Sequence, residues 1–183
     1  CGGSEIGGNN PTYLKYSAAH STIILDNTNI SEVKEISLNR NILKKVNFET
    51  KDVPKFKILS GTHNGYLTNY NKICKRTLFV SKEKALLRGE DLIISTKPII
   101  KNNVYHLRFH LIPEISTTIT ENKRNIIIKT KKNNIWMFKS NKEMIIEKSI
   151  FVRDDIAIET TQIVISGVTS LLNTKIEWSL EKI

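Results

Sequence analysis

The stretch Val104-Tyr-His-Leu-Arg-Phe-His-Leu111 places two imidazoles and a guanidinium at every second position. In an extended strand, side chains alternate between two faces. Tyr105, Leu107, Phe109 and Leu111 then share one face, and His106, Arg108 and His110 share the other. Histidine exchanges protons near neutral pH, and arginine neutralises a carboxylate through a fork of N–H donors. The polar face therefore suits an anionic ligand or an acid/base site; the other reading is the solvated outer face of an antiparallel sheet. Two more histidines stand in distinctive contexts. His20 closes Tyr16-Ser-Ala-Ala-His-Ser-Thr and leads directly into Ile23-Ile-Leu25, while His63 lies in Gly61-Thr-His-Asn-Gly-Tyr66, which reads as a turn. With Tyr66, Tyr70, Arg76 and Arg108 nearby in sequence, these histidines form a set that could transfer protons.

Strands must position them. From Ser21 onward the pattern is strand, turn, strand, with expected strands at 22–26, 55–60, 73–80, 85–95, 104–111, 115–120, 125–130, 135–139, 144–152, 156–165 and 175–182. Turn formers separate them: Gly61, Asn64-Gly65, Lys97-Pro98, Asn102-Asn103, Asn133-Asn134, Asp154-Asp155 and Gly167. Toward the end, Ile176, Trp178 and Leu180 alternate with Glu177, Ser179 and Glu181, which predicts an apolar face turned inward. The expectation is an all-β antiparallel β-sandwich of two or more packed sheets, residues 21–183, with almost no helix. Residues 1–20 read as a Gly/Asn-rich loop or edge segment, and the one helical turn expected lies around Asn29-Ile-Ser-Glu-Val33.

Bulk properties agree with one folded domain. The chain has 183 residues, 39% of them hydrophobic and 25% charged. Apolar runs such as Ile126-Ile-Ile128 are far shorter than a bilayer span, so no membrane insertion is expected. The net charge of +10 favours anionic partners. It also has a compositional reading, because Lys, Ile and Asn are all abundant, as in a chain encoded by an AT-rich genome. Nucleic acid is not the expected partner: there is no RNP, KH or zinc-finger pattern. Cys1 and Cys74 make neither a disulfide framework nor a zinc motif, and Cys74 reads as a small buried hydrophobe. Cys1-Gly-Gly-Ser4 reads either as a lipidated terminus or as a cut through a longer protein.

An ordered series of short pieces carries a family resemblance. It runs Ala18-Ala-His-Ser-Thr-Ile-Ile-Leu-Asp26, His63-Asn-Gly-Tyr66, Arg76-Thr-Leu78, Leu87-Arg-Gly-Glu-Asp-Leu92, Leu107-Arg-Phe-His-Leu-Ile-Pro113, Ile135-Trp-Met-Phe138, Thr161-Gln-Ile-Val-Ile165 and Trp178. The series resembles the C-terminal domain of bacterial heparinase II/III-like proteins, especially those of alphaproteobacteria, over nearly the whole chain.

That resemblance implies a polysaccharide lyase that cleaves uronic-acid-containing chains, such as glycosaminoglycans, by β-elimination. It implies a partner domain as well, an N-terminal helical toroid that supplies the principal acid and base, with the cleft between toroid and β domain. Cys1-Gly2 would then continue an internal strand, which favours the cut, and the isolated chain would have little or no activity. The implied location is the periplasm or envelope of a bacterium. By resemblance, His20 is the catalytic histidine of the β domain. His110, Arg108, Tyr66 and Arg76 are candidates for substrate binding. His110 matches the first histidine of a His-Leu-His-Pro element whose second histidine is Ile112 here. Some members hold a structural metal through histidines and an aspartate, and zinc wants four ligands. The substitution at Ile112 makes no metal the expectation and structural zinc the alternative. A non-catalytic carbohydrate-binding or structural module is the alternative for the chain as a whole.

Overall fold

The computed structural model of the protein describes residues 12–31, 46–98, 101–153 and 156–183. Two short 3-10 turns, Thr12–Lys15 and Ser17–Ala19, lead into strand β1 (Ile23–Leu25). Then come β2 (Val46–Asp52), β3 (Phe56–His63), the single-turn helix α1 (Leu67–Tyr70), β4 (Lys72–Ser81) and β5 (Leu86–Ser95). The rest is β6 (Val104–His110), β7 (Ser116–Ile119), β8 (Asn125–Lys129), β9 (Ile135–Ser140), β10 (Met144–Arg153), β11 (Ile156–Val168) and β12 (Thr174–Lys182). A four-stranded sheet has the order β1-β6-β11-β10, and an eight-stranded sheet the order β2-β3-β4-β5-β12-β9-β8-β7. Every pairing is antiparallel. Among the described residues no helix is long and apolar enough to cross a membrane.

The core follows from the alternation. In β6, Tyr105 and Leu107 are buried while His106, Arg108 and His110 keep to the opposite face. Ile23 and Leu25 of β1, and Ile163 and Ile165 of β11, share the interior with them. From the large sheet come Cys74, Ile93, Ile126, Phe138, Ile176 and Trp178. Each such aliphatic side chain taken fully from water stabilises the fold by roughly 1.5–3 kcal/mol. Cys74 is a free, buried thiol, and its burial pushes the pKa up to about 12, so it packs as an inert apolar group.

Several expectations are corrected. Where it is described, the segment before Ser21 forms two 3-10 turns with Leu14 and Ser17 buried. Gly61 and Gly167 lie inside β3 and β11 rather than in turns. A Cβ on Gly167 would come within 2.6 Å of the Tyr105 hydroxyl, so the glycine admits that ring against the strand. Residues 29–31 are not helical; 32 and 33, Cys1 and the Asp154-Asp155 turn lie outside the described residues. Strand β2 and helix α1 were not anticipated.

Candidate functional site

His20 stands where the second 3-10 turn ends and the chain straightens into β1. Its amide donates to the Ser17 carbonyl (3.1 Å), and its backbone is already extended (φ −123°, ψ 154°). The residue is exposed, and its imidazole makes no hydrogen bond to any described residue. Its backbone surroundings, by contrast, are fixed from several sides. Ser17 is docked on the segment after β1: its hydroxyl accepts from the Ile30 amide (2.8 Å) and its own amide donates to Asn29 Oδ1 (2.9 Å). The Ser21 carbonyl accepts from Arg76 Nη1 (2.7 Å), and the Ser21 hydroxyl accepts from the His110 amide (3.0 Å). The Thr22 carbonyl accepts from the Arg108 amide (3.1 Å).

The His110 ring completes this grip. Its Nε2 lies 3.0 Å from the Ala18 carbonyl, which can only accept, so Nε2 carries the proton and Nδ1 accepts from the Ser149 hydroxyl (2.7 Å). Burial lowers its pKa, with smaller contributions from the Arg108 and His20 charges, while the bond to Ala18 opposes the shift. Arg76, on the inner face of β4, donates through Nε to Asp91 Oδ1 (2.8 Å), and Trp178 Nε1 donates to Asp91 Oδ2 (2.8 Å). The guanidinium sits 5.6 Å from the Phe109 ring centre and 5.9 Å from that of Trp178, within range of cation–π attraction. Arg76 and His110 thus hold the backbone on both sides of His20.

The family model for the heparinase II/III-like C-terminal domain matches residues 1–179. The chain belongs to that family. No curated protein matches it. Among solved structures, a mutant of the heparan sulfate lyase HepC from Pedobacter heparinus superposes with a TM-score of 0.71 at 12% identity, over 93% of this chain and 25% of that one. A heparinase III structure gives 0.72 at 13% identity, over 93% of this chain and 24% of the other. The heparinase III product of the BT4657 gene gives 0.73 at 9%, over 97% and 27%. At these identities the likeness is one of fold, and the chain spans about a quarter of the length of those proteins.

Within this heparinase II/III-like C-terminal domain, the remaining candidates divide. Tyr66 is not open to a substrate: its exposure is 0%, and its hydroxyl donates to the Ile23 (3.0 Å) and Thr28 (3.2 Å) carbonyls. Burial raises its pKa, so it is no base. His63 packs edge-on against Tyr66, accepts from the Gly65 amide (3.3 Å), and has its pKa lowered by burial and by the Arg76 charge. Together with Thr22, Thr62 and Arg76 it lines a cavity of about 220 Å³ on the inner face of β3 and β4. Arg76 Nη2 is buried without a hydrogen-bond partner among the described residues.

Arg108 lies on the opposite face of β6, paired through Nη1 with Glu147 (3.0 Å), and His106 shares a hydrogen bond with Ser166 (2.8 Å). The expected histidine and arginine row is therefore real, but its members are tied down, His106 to β11 next to it and Arg108 and His110 to β10 beyond. Among the described residues no group of three or more His, Cys, Asp or Glu side chains is placed to hold a metal ion. Asp91 escaped the sequence reading as a site residue. Its signal was there, a carboxylate at an inward position of an apolar strand between Gly89 and Ile93, which demands a buried partner.

Proposed function

We propose that this chain is the β domain of a lyase that cleaves uronic-acid-containing polysaccharide by β-elimination, with His20 as its contribution to the reacting centre. The observation that carries the reading is an exposed imidazole, without a hydrogen bond to any described residue, on a backbone held by both sheets, in a domain of the heparinase II/III-like family. In β-elimination a base takes the proton next to the uronate carboxylate, the double bond forms, and the glycosidic oxygen leaves with a proton from an acid. The carboxylate must be neutralised as charge builds on it. An imidazole on the cleft rim can take or return a proton in that sequence. The principal acid and base belong to a helical toroid elsewhere in the full-length protein, and the +10 charge of this chain draws the polyanion toward the cleft. Polysaccharide of this kind is met in the periplasm or cell envelope, where we place the protein.

The test uses the full-length protein and a panel of uronic-acid polysaccharides, following the ultraviolet absorbance of the unsaturated product. His20→Ala should lower kcat by about 10²–10⁴-fold and leave the melting temperature nearly unchanged. A second reading, a non-catalytic carbohydrate-binding module, draws support from Tyr66, whose hydroxyl is spent inside the domain. Binding of the polysaccharide without any product absorbance would favour it. Loss of stability with normal turnover in His20→Ala would remove the catalytic role of His20.

A further inference from the structure

We propose that Trp178, Asp91 and Arg76 form a positioning device for His20, with Asp91 as its centre. The inference rests on the catalytic reading of His20. A carboxylate taken out of water is costly unless it is paired and hydrogen-bonded, and Asp91, with 3% of its side chain exposed, is both. Its two oxygens face different elements. Oδ1 receives Arg76 Nε from β4, and Oδ2 receives Trp178 Nε1 from β12. With Asp91 itself on β5, three neighbouring strands are joined through one side chain.

The chain of bonds does not end in the core. Arg76 Nη1 reaches on to the Ser21 carbonyl, one peptide unit beyond His20. The guanidinium is planar and its Nε–H and Nη–H directions are fixed relative to one another. Fixing Nε against Asp91 therefore fixes where Nη1 points. The Phe109 and Trp178 rings limit its remaining freedom, and the Phe109–Trp178 contact (4.7 Å, 69°) holds those two rings against each other.

Stability alone is a poor reason for such an arrangement. A buried ion pair is often no better than apolar residues of the same volume. What an apolar replacement cannot do is donate to the Ser21 carbonyl in a set direction. A shift of about 1 Å in a catalytic group costs on the order of 10²-fold in rate, so a rigid donor one residue from His20 is worth the buried charge.

The experiment is a double-mutant cycle in the full-length protein, with turnover, KM and melting temperature measured for every variant. Asp91→Asn and Trp178→Phe are each made alone and in combination with His20→Ala. Trp178→Phe keeps an aromatic ring and removes the indole donor, so it tests the device even where Asp91→Asn does not fold. Each single variant should lower kcat by about 10- to 100-fold with KM within about twofold. In the His20→Ala background neither should lower kcat further, because a positioning residue acts only through the group it positions. Equal losses of kcat in both backgrounds would overturn the inference and leave the three residues a structural cluster. If His20→Ala leaves turnover untouched, the catalytic reading fails and takes the positioning role with it, a pattern distinct from equal losses in the two backgrounds.

Discussion

A tyrosine hydroxyl has one proton to donate, and Tyr66 shares it between the Ile23 and Thr28 carbonyls, which bracket β1 and the turn after it. Tyr66→Phe keeps the ring in the core and withdraws that proton, leaving buried acceptors without a donor. The expected cost is about 1–3 kcal/mol of stability, read by chemical denaturation; an unchanged midpoint would mean that the two carbonyls find other donors. The same residue shows what the sequence could disclose about the site. Residue types announce which groups can donate, accept or titrate, and the family resemblance singled out His20. They do not announce which groups are used up inside the fold. Tyr66 and Arg76 looked like ligand contacts because they are polar and near histidines in sequence. Burial commits Tyr66 wholly, and Arg76 is engaged through Nε and Nη1, with Nη2 left without a hydrogen-bond partner among the described residues. Asp91 was the converse case, a residue whose inward place in β5 was readable but whose partners, 15 residues back and 87 residues on, were not.

At the scale of elements, every described strand but β2 was legible in the sequence, most plainly those with one wet and one dry face. β6 and β12 alternate because each lies across the core, so the period of two is written in their residues. β2 is an edge strand exposed along its whole length, with Phe48 66% exposed, and its alternation is confined to Val46-Asn-Phe-Glu49, too short a signal to mark a strand by itself. Helix α1 is one turn long, ended by Asn71 in the left-handed region (φ 51°), and is shorter than any helical repeat. Gly61 and Gly167 misled because glycine marks turns and close approaches alike. Gly89 is a close approach of this kind: a Cβ there would meet the Trp178 ring at 2.1 Å. Gly89→Ala should therefore displace the indole and cost about 1–3 kcal/mol as an over-packed core does, lowering the thermal midpoint. If the midpoint holds, the ring has room that this packing denies it.

At the scale of the whole molecule, three histidines bind protons less readily folded than unfolded. Burial is the largest cause for His63, His106 and His110 alike, with nearby arginine charge adding to it. For His106 the Glu147 carboxylate pulls the other way, and for His110 the Ala18 carbonyl does. In the unfolded chain each titrates near its ordinary value of 6.5. Above that value both states are neutral at these positions, and their contribution to stability is fully present. As the pH falls through it, the unfolded chain takes up protons first, so stability declines with acidification until the folded histidines also protonate. His110 has a further consequence, because an added proton turns Nδ1 from acceptor to donor and obliges the Ser149 hydroxyl to reverse. Denaturation midpoints should therefore fall between about pH 7.5 and about pH 5.5. Replacing His63 or His110 by Gln should flatten the dependence, since an amide fills similar space without titrating. A midpoint that stays level or rises over that range in the unaltered protein would show that these rings accept protons in the fold as easily as in water.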